Sequence, residues 1–506
     1  MSNGNLTPLQ TGFTRVFLIE NRAGPTRVPV YMGCMRAGGI DWSLGTISKI
    51  ECPSPKGYDK FEEKGKSKGE ADRPSTSVVG RYAADLESEL LRLARIGCSF
   101  DLQFHIGTCQ DPTLFNTFQK AVVWEEADLT SYGADDLGAL EQSERNAVNE
   151  TGEISARELY EILPLDFAEV AGDIITNEIV DVVVCDSVSC GECETQSDGC
   201  QRVYAVSLAA GGSPGTPADV VYTLDGAANW NTSEVDSLGI AEDPDALACV
   251  SGYVVVVSND SCSLHYVLQN ELDTVGDELW VENILGFVAA GCPNDIWSVG
   301  NYAFIVGNNG YIYGLSDPTA GVTVLDAGAA TGVMLRAVHA MDRNVAVAVG
   351  SNGVVVRTLN GGITWQAMNN PTGVGEDLYC VWVKTETEWW VGSNSGRLLY
   401  TLDGGVTWAE KAFNGSGGTS VVYDIAFSSD GVMTIAHATA AAAGVGRLLR
   451  SYDGGYDFVV LPEDVGALPA ADRFNAIALC ENDVNVVAAV GLADNATDGI
   501  AIWGED

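Results

Sequence analysis

TLDGGVTW, residues 401–408, returns as TLNGGITW at 358–365, as TLDGAANW at 223–230, and more loosely as SYDGGYDF at 451–458. The third position of the four copies is Asp225, Asn360, Asp403 and Asp453, at steps of 135, 43 and 50 residues. The first step is three intervals of about 45, so two degenerate copies are expected near 270 and 315. SCSLHYVLQN and GYIYGLSDPTAGVTVL lie there, and each reads as a strand, a polar turn and another strand. A fixed period in the forties with four short strands per unit is the signature of a β-propeller.

Working outward from 401–408, the runs LYCVWVKT, EWWVGSN, RLLYTLD and TWAEKA make one unit of β-branched and aromatic strands punctuated by Gly, Asn, Asp and Thr. Third strands fall near 221, 265, 312, 356, 399, 448 and 500, which predicts seven blades over residues 176–506. The last unit has only three strands of its own. Chain from the first unit, around 179–209, is expected to complete it and remove the open edge.

Each residue of the hairpin has a physical task. Asp403 can accept the N–H groups its turn leaves unpaired, and Gly404 and Gly405 can take positive φ. Trp408 opens the next strand and offers a large apolar face to the core between neighbouring sheets. The pattern resembles the Asp box of sialidases and other propellers, Ser/Thr-x-Asp-x-Gly-x-Thr-Trp/Phe. The resemblance assigns an architectural role to Asp225, Trp230, Asn360, Trp365, Asp403, Trp408, Asp453 and Phe458. It also raises a sialidase-like glycoside hydrolase as the enzymatic alternative.

The sequence does little for that alternative. Residues 1–175 hold 17 Lys and Arg against 27 Asp and Glu, whereas 176–506 hold 10 against 42. An anionic substrate would meet this acidic surface, and nucleic-acid readout needs the opposite sign. Of the eight arginines after residue 176, Arg357 and Arg397 sit at similar places in their units, as repeat surface does. His105, His265, His339 and His437 are scattered one per strand and read as structural. No nucleophile elbow, zinc-protease helix or Walker loop is present. The expectation is a protein that is not an enzyme and has no cofactor.

CDSVSCGECETQSDGC places Cys185, Cys190, Cys193 and Cys200 within sixteen residues. That spacing suits either a structural zinc or two disulfides in a projecting hairpin tip, and the sequence leaves both open. No run reaches the length of a membrane helix. The opening MSNGNLTPLQTG has neither a basic nor an apolar leader segment, so synthesis in a cytoplasm without a secretion signal is expected.

Residues 1–175 leave the propeller period. TRVFLIEN and PVYMGCMRA read as strands, and a long mixed-charge loop follows. VVGRYAADLESELLRLARIGC reads as a helix, with Ala83, Leu86, Leu90, Leu93 and Ala94 at three- and four-residue steps and Gly97 at its end. Strands return at FDLQFHIGT, FQKAVVWEEADL and LYEILPLDFAEV. The expected fold class is therefore mainly β: an α+β sandwich with one helix over 1–175, then a seven-bladed propeller over 176–506.

This order resembles the tail tube proteins of long-tailed bacteriophages, on the runs SELLRLARIGCSFDLQFHIGTCQDP and VNETGEISARELYEILPL. The resemblance implies a virion tail subunit that polymerises into stacked rings, six copies to a ring, around a channel through which DNA passes unbound. It implies other virion proteins as partners, and a propeller carried on the outer surface where host glycans can be held weakly. The remaining alternative is a monomeric protein-binding propeller that serves as an assembly factor.

Overall fold

The computed structural model describes residues 13–20, 30–36, 75–81, 100–106, 120–134, 149–155, 158–162, 166–169, 177–185, 202–208, 218–224, 229–235, 243–272, 280–328, 332–373, 375–413, 420–428, 431–439, 445–461, 471–479, 487–493 and 499–505. The chain divides into two compact units, Met1–Pro164 and Leu165–Asp506. Among the described residues no helix is long and apolar enough to cross a membrane.

Among the described residues the first unit holds seven strands: β1 (Phe13–Glu20), β2 (Val30–Arg36), β3 (Ser75–Arg81), β4 (Phe100–Ile106), β5 (Lys120–Ala134), β6 (Asn149–Ser155) and β7 (Glu158–Ile162). Their order is β2-β1-β4-β5-β6-β3, with β7 also on β5, and every pairing is antiparallel. The central strand β4 is covered on both faces. Phe100, Leu102 and Phe104 are buried on one side, and Asp101, Gln103 and His105 on the other. Phe104 meets Trp124 of β5 edge-on at 5.9 Å, and Phe17 of β1 lies 4.8 Å from His105. β5 is long enough to serve two neighbourhoods. Its first half pairs with β4 and β7, and its second half with β6.

The expected helix over 78–98 needs correction at its start. Val78–Arg81 belong to β3, because Ser75–Arg81 pair residue by residue with Asn149–Ser155. Extended pairing there overrides the helical spacing. The rest of that helix, and with it the α+β sandwich assignment, lies outside the described residues, as does the mixed-charge loop before it.

The second unit is a seven-bladed propeller, made of seven antiparallel four-stranded sheets. The third strands are Asp219–Thr223, Ser263–Leu268, Tyr311–Leu315, Val355–Thr358, Leu398–Thr401, Val445–Ser451 and Gly499–Glu505. Second and third strands are almost wholly buried, for example Tyr253–Ser258 and Ala346–Gly350. Val, Ile and Ala dominate them because both faces meet a neighbouring sheet. Between blades the apolar layers interlock, as where Leu378, Val381 and Trp389 pack on Val347, Val349 and Val355.

Ring closure differs from expectation. The fourth strand of the last sheet is β8 (Asp166–Glu169), which pairs with Gly499–Glu505 in the register Ile502↔Glu169 to Glu505↔Asp166. Residues 179–184 and 203–207, expected to close the ring, are instead the first two strands of blade 1. A strand that must finish the ring from its own outer edge has to precede blade 1 in sequence, and β8 does.

Candidate functional site

The seven inner strands line the central channel: Ile179–Val184, Ala246–Val250, Pro293–Val299, Leu335–Ala340, Leu378–Val383, Val421–Phe427 and Ala471–Leu479. Six of them carry a β-bulge at the same level. The extra residues are Val180, Asn294, Arg336, Tyr379, Tyr423 and Asn475 in blades 1, 3, 4, 5, 6 and 7. A bulge leaves one residue out of the ladder and re-aims its side chain. Repeated around a ring, it gathers those side chains at one end of the channel.

They make a connected belt. The Nδ2 of Asn294 donates to the carbonyl of Leu335 at 2.7 Å. The Nη2 of Arg336 donates to Asp377 at 2.8 Å, and its guanidinium lies 5.0 Å from the ring centre of Tyr379. Tyr379 meets Tyr423 edge-on at 6.2 Å, and Tyr423 hydrogen-bonds with Arg473. Arg473 then reaches Glu178 through Nε at 2.9 Å and through a second, shorter bond from Nη2. Asn475 donates to the same carboxylate at 2.7 Å and to the carbonyl of Ile179 at 2.8 Å. The side chains of Arg336 and Arg473 stay about one-third exposed, at 32% and 37%. Partial burial opposes it, but the N–H of Asn352 and the guanidinium of Arg336 together hold the Asp377 carboxyl below its usual range.

The residue after each bulge faces the seam with the next blade. In blades 1, 3 and 6 it is Asp181, Asp295 and Asp424. One oxygen of each accepts the N–H of the following residue, and the other accepts an N–H of the next blade, from Leu247, Val338 and Ile477 respectively. All six bonds are 2.8 Å. Although partly exposed, these carboxyls lie deep in the inner layer, and desolvation there pushes Asp295 and Asp424 up to about 7 and Asp181 well above its ordinary value. Between blades 4 and 5 the acceptor is an imidazole, since Nδ1 of His339 takes the N–H of Val383 at 3.1 Å. His339 lies 4.2 Å from Trp297 and 4.1 Å from Trp382, and burial lowers its pKa to about 3, so it is neutral.

At the repeated hairpins, Thr401 and Asp403 organise the turn. The Oγ1 of Thr401 accepts the N–H of Gly405 at 2.9 Å, while Oδ1 of Asp403 accepts those of Val406 and Thr407 at 3.1 and 2.8 Å. The Thr407 hydroxyl donates to Oδ2 of Asp403 at 2.6 Å. These bonds hold Asp403 down at about 2, led by the two from Thr407. Asn360 forms the same frame with Thr358, Gly362 and Thr364. Gly404 and Gly405 have φ of 69° and 84°, and a Cβ on Gly405 would lie 2.7 Å from Trp389. Trp408 packs on the layer between blades 4 and 5 and donates Nε1 to the carbonyl of Asn369 at 3.0 Å.

Asp453 makes the same turn in a different setting. It is buried, and its Oδ1 takes the N–H groups of Tyr456 and Asp457 and the hydroxyl of Ser451. The residue matching Thr407 is Asp457, which lacks a hydroxyl, and among the described residues Oδ2 of Asp453 has no hydrogen-bond partner. Burial raises Asp453 to about 6. Trp365 meets Phe304 at 6.0 Å, Phe458 meets Phe413 at 6.1 Å, and Trp230 packs on the layer between blades 7 and 1. Asp225 lies outside the described residues.

Cys185 is joined to Cys249, which ties blade 1 to blade 2, and Cys262 is joined to Cys292, which ties blade 2 to blade 3. Cys190, Cys193 and Cys200 lie outside the described residues. Among the described residues no group of three or more His, Cys, Asp or Glu is arranged to hold a metal ion. Three of the eight arginines after residue 176 have partners near the hairpins. Arg343 and Arg357 donate to the carbonyls of Gly361 and Gly404 in neighbouring hairpins, and Arg397 pairs with Glu376 and Glu410. Trp389 and Trp390 are fully buried core residues.

The seam carboxylates escaped the sequence reading, although a signal was there. An acid stands inside an apolar first strand in IVDVVV, PNDIWSV and VVYDIAF. The bulge residues gave no such sign.

No protein-family model and no curated protein matches this chain. Among solved structures it is similar to YCF48 bound to a D1 peptide, at 18% identity over 68% of this chain and 98% of that one, with a TM-score of 0.49. It is similar to YCF48 from Cyanidioschyzon merolae at 16% identity, over 67% and 98%, with a TM-score of 0.48. The WD40 propeller domain of Doa1 follows at 14%, over 68% and 97%, with a TM-score of 0.45. At these scores the fold rests on the sheet order above, and any function must rest on this chain's own residues.

Proposed function

We propose that this chain is a non-catalytic structural subunit that joins copies of itself through its first unit and carries the acidic propeller as an appended unit. The tail tube subunit of a long-tailed bacteriophage is the form of that reading we favour, located in the virion tail. Its partners would be further copies in stacked six-membered rings, other virion proteins, and DNA passing without specific contact. The observation that carries it is the sheet of the first unit. Among the described residues β2 pairs only with β1, β3 only with β6 and β7 only with β5, and these edges are where a sibling strand would pair. The acidic balance of the chain fits a surface to which DNA does not adhere.

Negative-stain microscopy of the purified full chain tests this directly. Rings or tubes of even width are the expected result. A uniform monomer at high protein concentration would overturn the reading.

A second reading has its own observation. The belt of Arg336, Tyr379, Tyr423 and Arg473 has the residue types that dominate binding energy at protein interfaces, on a rigid ring. A binding propeller would stay monomeric and lose its partner on Tyr379→Ala with Tyr423→Ala, without loss of thermal stability beyond about 2 kcal/mol. Weak host-glycan binding at the propeller remains part of the first reading, and a glycan array on the full chain examines it.

A further inference from the structure

Three of the seven seams in the propeller are bridged by a carboxyl placed at one repeated position, and that arrangement has a consequence for the ring as a whole. Asp181, Asp295 and Asp424 each follow a bulge, each lie within the inner layer, and each span to the N–H of the next blade. They also sense one another. Asp295 and Asp424 both act on Asp181, and Asp295 acts on Asp424. Asp245, before the inner strand of blade 2, is exposed but feels Asp295 as well. Cys380 of blade 5 faces Asp424, and burial raises its thiol. Among the described residues, no lysine or arginine acts on any of the three carboxyls. The neighbouring cations are committed elsewhere, Arg336 to Asp377 and Arg473 to Glu178.

We propose that these three seams form a proton-linked clasp, so that the propeller ring is tightened by mild acid and loosened as the surroundings become neutral to alkaline. A carboxyl set deep in the inner layer beside two others, partly exposed but without a counter-charge, binds its proton more firmly in the folded ring than in the open chain. Between the ordinary carboxyl range and about pH 7 the folded state therefore holds more protons, and stability falls as pH rises through that window. The 4–5 seam provides an internal reference. His339 is neutral throughout the window, so its bond to Val383 does not respond.

Hydrogen exchange of the full chain, read by mass spectrometry at about pH 5 and pH 8 with intrinsic rates corrected, tests the clasp. The salt should be high enough to screen the overall negative charge, at about 0.5 M. Protection of the segments holding Leu247, Val338 and Ile477 should fall at least tenfold from the lower to the higher pH. The segment holding Val383 should change less. In the variant carrying Asp181→Asn, Asp295→Asn and Asp424→Asn the fall should be reduced to less than half on a logarithmic scale. Equal protection at both pH values, or the wild-type fall retained in the variant, overturns the proposal. Should the triple variant not fold, the single Asp295→Asn chain decides the matter by infrared spectroscopy at about pH 6. Loss of a protonated-carboxyl band relative to wild type supports the clasp, and an unchanged band refutes it.

Discussion

Replacing Asp457 by Thr should stabilise the propeller, and the reason lies in a comparison the molecule makes with itself. In the blade-5 hairpin Thr407 donates its hydroxyl to Oδ2 of Asp403. In the blade-6 hairpin Asp457 occupies that place, and the buried Oδ2 of Asp453 is left without a donor. Burial then lifts Asp453 from 3.8 to about 6. A raised carboxyl costs nothing below its unfolded value, and the cost is complete once pH exceeds the folded value. A shift of this size corresponds to about 3 kcal/mol at neutral pH. A hydrogen bond to a charged acceptor is worth about 1.5–3 kcal/mol, an overlapping account of the same deficit. Asp457→Thr forfeits the bond from the N–H of Phe458 to Asp457 and an attraction to Lys411. The net gain should be about 1–3 kcal/mol near pH 7.5. For a unit of roughly 340 residues that is a rise of about 1.5–4 °C in Tm. Calorimetry of the full chain at about pH 7.5 and pH 5 measures it. The gain should shrink at the lower pH, where Asp453 in the parent is already mostly protonated. A variant no more stable at pH 7.5, or equally improved at both values, would refute the reasoning.

Gly405→Ala should destabilise by more than about 1 kcal/mol, because φ is 84° and the new methyl meets Trp389, and chemical denaturation would register it. Asp403→Asn should be nearly silent in the same assay, since Asn360 already builds this frame with an amide, whereas Asp403→Leu should lower the melting temperature. A fragment of residues 165–506 should melt as one cooperative ring. Removing β8 as well, in a fragment of 176–506, should expose the edge of Gly499–Glu505 and produce aggregation by light scattering. Reduction of Cys185–Cys249 and Cys262–Cys292 should cost about 2–4 kcal/mol each, seen as a lower denaturant midpoint in reductant.

The blades were legible because their strands are short apolar runs separated by residues that can only turn. All seven third strands, from Asp219–Thr223 to Gly499–Glu505, lie where the 45-residue period puts them. What escaped the sequence depends on neighbours distant along the chain. DFAE at 166–169 reads as strand within LYEILPLDFAEV, but nothing in it names its partner Ile502–Glu505 at the far end of the unit. The polar stretches STSVVGR and NETGEIS are strands because each supplies the other's ladder. Cys185 finds Cys249 across 64 residues, so spacing within its own loop could not identify the partner. The channel belt depends on bulges, which add one residue without altering hydrophobic rhythm, so Arg336, Tyr379 and Tyr423 looked like ordinary strand residues.

β8 also sets an order of events during synthesis. Its four residues leave the ribosome before any blade exists, and the strand they pair with is the last of the propeller's strands, more than three hundred positions later. Six sheets can form locally as the chain emerges, each from consecutive strands, whereas the seventh needs the two extremes of the unit to meet. A chain halted short of residue 499 would hold a waiting strand and a bare sheet margin with no mate. Joining β8 to Gly499–Glu505 thus makes synthesis of the seventh blade a condition for a sealed wheel.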